Sequence, residues 1–393
     1  MRAYVLGAGA SHPIYPLGGE LFNEIDKYIL GRGPYFNRFD YQKDWPPLKD
    51  LLKCSSNPLL RQAYGNGNIE QIFTVLDLAE NLFSNSQISM LKKSVEGTAE
   101  AEAAVANHRF FASGIKEYRD VRSKLLWAME DYFLHRNQLD LESYGSAQWK
   151  DLKRFGTFLQ SGDVVITFNY DSTVERVLLD QKKWAPSDGY GTEIVFQKNQ
   201  DDKTRVGYSP SMVKVLHLHG AIGWYSKPPF SPDFHPRAEG GGAIPREALS
   251  PAPLETEIAL DPLLLQGLGI QYVDASLPRR PPQESQILLH PSFLKEYEAE
   301  DRPSQVFNRL WKMASDALRN ADEVTIIGYS LPPADSAAWT LLHTSCDRKH
   351  TTVVNPSKSV LRNRYGRLLK HWLSAQAMDF GTWLNSLGIP SVS

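Results

Sequence analysis

The chain opens Met1-Arg2-Ala3-Tyr4-Val5-Leu6-Gly7-Ala8-Gly9-Ala10-Ser11, and the rest is read outward from this stretch. An apolar run of strand type breaks into Gly-x-Gly-x-Ser, and the pattern after it predicts a helix from about Leu17 to Ile29. Glycines between a strand and a helix let the backbone approach a pyrophosphate, whose charge is favoured by amides at the helix N-terminus. A full dinucleotide fingerprint would carry a third glycine near position 12, where this chain has His12-Pro13. The alternative is a tight turn that needs small residues only for packing. The choice depends on what the remainder of the chain supplies.

Four more short apolar runs share the character of the first, at 164–168, 213–218, 324–327 and 352–354. Each is rich in valine, isoleucine or leucine, and helical patterns separate them. Near-continuous apolar strands of this kind belong to a parallel sheet covered on both faces. The expected fold is therefore α/β, a Rossmann-like parallel sheet with helices on both faces. Ligands of such sheets bind beyond the carboxyl ends of the strands. Gly7, Asn169, His219, Gly328 and Asn355, just past the five runs, become the first candidates for a site.

The 393 residues are enough for two or three domains, or for one α/β domain with an insertion. Charged residues make up 22% and hydrophobic residues 42%, an ordinary globular composition. A formal net charge of −2 gives no general reason to expect nucleic-acid binding. Only Cys54 and Cys346 occur, which argues against a disulfide scaffold and against a structural zinc site. A strand at the very start leaves no room for a secretory signal, and no run approaches the roughly 18 apolar residues of a membrane span. The expectation is a cytoplasmic protein.

Helical patterns dominate between the first and second runs. Ile69, Ile72, Phe73, Leu76 and Ala79 recur at helical spacing after Asn68, a plausible N-cap. Ile115, Tyr118, Arg122, Leu125, Met129 and Tyr132 form another stripe, and Trp149, Leu152, Phe155 and Leu159 a third. Residues 97–107 are helix formers by propensity. The expected organisation is an α/β domain of residues 1–49 and 146–393, with a helical insertion or subdomain over 50–145. Residues 227–253 and 277–284 are proline-rich and read as loops.

The strand ends carry the chemistry. Asn169 and Asp171 follow the second run, where a carboxamide can donate and accept at once and a carboxylate can accept from an amide. Capping of the helix that begins near Ser172 would use the same residues. His217 and His219 close the third run, and alternation places them on one side, with Gly220 opening space behind His219. Histidine is the usual general base, but a lone histidine also serves structure. Gly328-Tyr329-Ser330-Leu331-Pro332 closes the fourth run, with Asp335 shortly after, and Asn355-Pro356-Ser357 closes the fifth.

In this order, Gly-Ala-Gly-Ala-Ser, Phe-Asn-Tyr-Asp, Leu-His-Gly, Gly-Tyr-Ser and Val-Asn-Pro resemble the prokaryotic sirtuin-like NAD-binding domains found in antiviral defence systems. Residues 291–293 and the Leu310-Trp311 helix are also similar to that family. The resemblance covers the N-terminal turn and nearly everything from Gly162 to Ser357.

The resemblance implies roles for particular residues. Gly7, Ala8, Gly9 and Ser11 would approach the pyrophosphate of NAD+, and Gly328, Ser330 and Asn355 would line its adenosine half. Asn169 and Asp171 would sit beside the nicotinamide ribose, with His219 as base or ribose contact. The four zinc cysteines of the protein deacylases are missing, which puts deacetylation in doubt and leaves NAD+ cleavage as the expected activity. An NAD-dependent deacylase or ADP-ribosyl transferase, and a non-enzymatic NAD or ADP-ribose sensor, are the rival readings. The family also implies an enzyme held in check as a homo-oligomer or by a defence partner, such as an ATPase, an Argonaute-like protein or a phage component. No zinc, membrane or direct nucleic-acid contact is expected.

Overall fold

The structure is a computed structural model that describes residues 1–31, 41–54, 58–82, 120–136, 146–186, 188–191, 211–226, 258–260, 264, 286–288, 302–332, 335–346, 349–369 and 373–390. The first half of the chain supplies β1 (Arg2–Leu6), α1 (Gly18–Gly31), α2 (Tyr41–Cys54), α3 (Pro58–Gly65), α4 (Ile69–Leu82), α5 (120–136), α6 (Ser146–Phe158), β2 (Val164–Thr167) and α7 (Thr173–Asp180). Then come β3 (Lys214–His217), β4 (Gly220–Ser226), β5 (Ile258–Leu260), β6 (Gln286–Leu288) and α8 (Arg302–Asn320). The chain continues through β7 (Glu323–Ile327), α9 (Ser336–Ser345), β8 (Thr351–Val354), β9 (Leu373–Gln376) and α10 (Phe380–Ser386).

Six strands pair in parallel in the order β3-β2-β1-β7-β8-β9. The first strand is central: Val5 is in register with Ile166 on one side and Ile326 on the other. From β1 the sheet grows outward in both directions. The helices between the strands cover the sheet, as in a Rossmann-like fold. The order reverses between β1 and β7, and in such sheets that reversal opens a crevice at the carboxyl ends of the strands.

All five apolar runs are strands. Ala3, Val5, Val165, Ile166, Ile326 and Val353 are wholly buried, each stabilising the fold by about 1.5–3 kcal/mol if the side chain is large. β9 was not anticipated. Its sequence Leu-Ser-Ala-Gln carries no apolar run because it lies at the sheet edge and is only partly buried. One covering layer is aromatic: Tyr4 meets Phe155 of α6 edge-on at 5.2 Å, and Phe155 meets Phe380 of α10 at 5.5 Å. At the amino edge of the sheet, Arg2 and the buried Asp163 form an ion pair of 2.6 Å that ties the starts of β1 and β2 together.

The helical stripes pack as their spacing predicts. The side chain of Asn68 accepts from the Gln71 amide at 3.1 Å, capping α4, and Ile69, Ile72, Phe73 and Leu76 are buried behind it. Leu125, Met129 and Tyr132 are buried on α5, and Trp149, Leu152, Phe155 and Leu159 along and just after α6. Residues 97–107, Ile115, Tyr118, 227–253, 277–284 and 291–293 lie outside the described residues. The boundary expected between residues 49 and 50 falls inside α2. Phe22 of α1 stacks on Trp45 of α2 at 6.0 Å, and all these helices share one hydrophobic core with the sheet. None of the described helices is long and apolar enough to cross a membrane.

Candidate functional site

A cavity of about 340 Å³ opens at the carboxyl ends of β1, β2, β3 and β7, at the reversal of strand order. Ala8, Gly9 and Ser11 come to it from β1, residues 168–171 from β2, His219 from β3, and Gly328, Tyr329, Ser330, Pro332 and Asp335 from β7. Helices of the first half of the chain close it: Gly18 and Gly19 begin α1, Ile69 and Glu70 begin α4, and Phe133 lies on α5. The segment read as an insertion thus forms one wall of the site.

The Gly7–Ser11 turn is tied by main-chain hydrogen bonds to the turn after β7. Gly7 N–H donates to Ile327 O at 3.0 Å and Gly9 N–H to Gly328 O at 3.0 Å. Ala10 N–H donates to Gly7 O, while Ser11 and His12 N–H both donate to Ala8 O. Four amides of the turn and that of His12 are therefore engaged within the protein. A Cβ on Gly7 would lie 2.4 Å from Tyr329 Cα, and one on Gly328 only 2.5 Å from Ala10 N, at a φ of +63°. The glycines are required because the turns after β1 and β7 interlock backbone to backbone. The helix expected from about Leu17 to Ile29 is present as α1, Gly18–Gly31.

Asn169 and Asp171 belong to one hydrogen-bonded chain with Ser11. Asn169 Nδ2 donates to Gly7 O at 3.2 Å and to Ser11 Oγ at 3.3 Å, and Ser11 Oγ donates to Asp171 Oδ2 at 2.8 Å. Asp171 Oδ1 accepts from Thr173 N at 3.1 Å and Thr173 Oγ1 at 2.5 Å, so it also starts α7. Burial raises the Asp171 carboxyl above its usual range, while the bonds from Thr173 and Ser11 pull it down. The capping reading and the site reading describe the same carboxylate: Asp171 caps α7 and lines the cavity.

His219 gains a partner that the sequence reading had left without a role. Its Nε2 lies 3.1 Å from Asp335 Oδ2, and both side chains are buried. Asp335 accepts from Tyr329 Oη at 2.7 Å and, as N-cap of α9, from Ala338 N–H at 3.4 Å. Burial and the Asp335 charge push the Tyr329 phenol well above its ordinary range, so it stays a hydrogen-bond donor. Phe168 stacks on Tyr329 with ring centres 4.2 Å apart and meets the His219 ring edge-on at 5.0 Å. Gly220, at a φ of +76°, turns the chain away behind His219 into β4. Nε2 is thus the ring nitrogen turned toward the Asp335 carboxylate.

His217 takes a different partner. β3 ends at His217, so the alternation that would set the two histidines side by side does not extend to His219. His217 is wholly buried against Glu175 of α7. Asn355 and Gly7 also lie outside the cavity lining. The Asn355 carboxamide donates to Tyr329 O at 3.4 Å and accepts from Ser357 N–H at 2.9 Å, which holds two loops together. The other sequence-selected residues, Ala8, Gly9, Ser11, Asn169, Asp171, His219, Gly328 and Ser330, all line the cavity.

The remaining walls are aromatic. Tyr15 stacks on Phe133 at 5.0 Å, and Phe133 meets Tyr170 edge-on at 6.4 Å. With Phe168 and Tyr329, five rings and the carboxylates of Glu70, Asp171 and Asp335 surround the space. No family model matches the chain, and no curated protein matches it.

Proposed function

We propose that the chain hydrolyses the N-glycosidic bond of NAD+ to nicotinamide and ADP-ribose. The observation that carries this reading is the pairing of aromatic rings with three carboxylates around the His219–Asp335 pair, at the reversal of a parallel sheet. Rings and carboxylates together favour a flat organic cation, and the nicotinamide of NAD+ is a pyridinium. The resemblance of the five strand-end motifs to the sirtuin-like family supports the same substrate.

The chemistry follows from the groups present. A pyridinium leaves without protonation, so no general acid is needed. Positive charge spreads over the ribose as the bond breaks, giving an oxocarbenium-like transition state as in other glycosyl cleavages. Asp171, Asp335 and Glu70 stabilise that charge. Asn169 uses Nδ2 within the protein, which leaves Oδ1 to accept from a ribose hydroxyl or the attacking water. His219 takes the water's proton as the C–O bond forms, and Asp335 compensates the imidazolium. A base of this kind contributes about 10²–10⁴-fold. A role in antiviral defence, with activity gated by oligomerisation or a partner, extends the same resemblance.

The test is incubation of the purified chain with NAD+ and chromatographic separation of products, beside His219→Ala and Asn169→Ala. Nicotinamide and ADP-ribose from the wild type, and little from either folded variant, are the expected result. Wild-type consumption by both variants refutes the assignment. Dependence on an acylated peptide would instead select a deacylase, and saturable binding without nicotinamide release would select a sensor.

A further inference from the structure

We infer that His217 and Glu175 form a positioning pair that fixes the Asn169 main chain, and with it the carboxamide used in the proposed reaction; the inference rests on that reading of Asn169.

His217 Nδ1 lies 3.0 Å from Asn169 O, and Nε2 lies 2.5 Å from Glu175 Oε1. A carbonyl oxygen can only accept, so Nδ1 carries a hydrogen whatever the state of the rest. The second proton sits between Nε2 and the Glu175 carboxylate. One ring therefore bridges α7 to the loop after β2. Asn169 is held from the other direction as well, where Thr167 Oγ1 accepts from its N–H at 3.0 Å. With main chain clamped on both sides, the carboxamide reaches Gly7 O and Ser11 Oγ at a set angle.

The pair is sealed. Both side chains are essentially inaccessible, the Tyr190 ring lies 5.8 Å from His217 and the Trp224 ring 5.3 Å. The charged groups acting on His217 are Glu175 on α7 and Asp171 on the loop after β2, while Tyr190 and Trp224 face it from the adjoining segments. Burial by itself disfavours the imidazolium, but Glu175, the Asn169 carbonyl and Asp171 raise its pKa above the ordinary value. Once the shared proton is lost at higher pH, the Nε2 lone pair faces a carboxylate oxygen, and the ring can no longer satisfy both partners. The clamp on Asn169 is thus present below the ordinary histidine pKa and lost as pH rises through the raised one.

The experiment combines kinetics with NMR of the Asn169 side-chain amide in asparagine-labelled protein, the resonance being assigned by its loss in Asn169→Asp. His217→Gln is expected to lower kcat about 100-fold with KM little changed, as a displaced catalytic group does. Glu175→Gln can donate its amide to Nε2 and preserve the bridge without a charge. It should keep most of kcat and lose the alkaline fall shown by the wild type. In the wild type the Asn169 amide resonance should titrate together with His217. A folded His217→Gln protein with undiminished kcat overturns the inference, as does an Asn169 resonance indifferent to His217. Should the wild type leave NAD+ intact, the functional reading fails, and the NMR titration still decides whether the pair controls Asn169.

Discussion

His219 and Asp335 meet at 3.1 Å although the strands that deliver them, β3 and β7, are separated in the sheet by β2 and β1. The gap is bridged by the stacked rings of Phe168 and Tyr329, which follow β2 and β7. Asp335 is held by Tyr329 Oη and by the start of α9, so under the proposed reaction its carboxylate is already in place for an imidazolium. Such preorganisation is how a base is kept in one tautomer.

Asp335→Asn tests that arrangement. Asparagine keeps the size and the capping oxygen and removes the charge. We expect NAD+ turnover to fall by about 10²-fold or more with the melting temperature little changed. Turnover equal to that of the wild type at matched folded fraction would remove Asp335 from the mechanism.

Asp171→Asn should separate stability from activity. The folded carboxyl is raised by burial, so its favourable contribution is complete below the usual carboxylate pKa and lost as pH rises through the raised value. At neutral pH the ionised group is a net cost. Its neutral isostere should stabilise the fold by about 1 kcal/mol while lowering NAD+ turnover. Urea unfolding at pH 7 and pH 4 measures the sign, and a loss of stability at pH 7 contradicts it.

Glycines at the interlocked turns should respond differently from a glycine in open space. Gly328→Ala places a Cβ against Ala10 and Gly9 backbone in a left-handed conformation, and should destabilise by about 1–3 kcal/mol or prevent folding. Gly19→Ala meets nothing within 4 Å and lies in the first turn of α1, where alanine should stabilise by up to about 1 kcal/mol. Thermal melts of the two variants should move in opposite directions.

Ring charge should govern binding. Rings and carboxylates around the cavity favour the pyridinium of NAD+ over the neutral dihydropyridine of the reduced dinucleotide. Calorimetry on His219→Ala, which does not consume the ligand, should show about 10-fold or more tighter binding of the oxidised form. Equal affinities would remove the cation from the argument.

Much of this was legible in sequence because it is local. Each apolar strand announces itself by composition, and in a parallel sheet the residues just past each strand converge on one edge. Asn169, Asp171, His219 and Gly328 could be picked out on that ground alone. β9 could not, because an edge strand need not be apolar. Asp335 carried a legible signal, an acidic N-cap before Ser336, but capping says nothing of a histidine after a strand three positions away in the sheet. Phe133 and Glu70 were hidden because helical periodicity reports that a face is buried and not what it is buried against.

The Gly7-Ala8-Gly9-Ala10-Ser11 turn shows the division most clearly. By itself the sequence determined that a strand ends there in a turn without bulky side chains, at the edge where a site forms. Only the tertiary structure decided what the small residues are for. The atoms that a Cβ would strike on Gly7 and Gly9 belong to Tyr329 and Gly328, and the acceptors of their amides to Ile327 and Gly328. Local spacing cannot see groups that far along the chain. The cavity beside the turn is likewise a product of packing, made where the order of strands reverses and the helices of the first half of the chain come down over it.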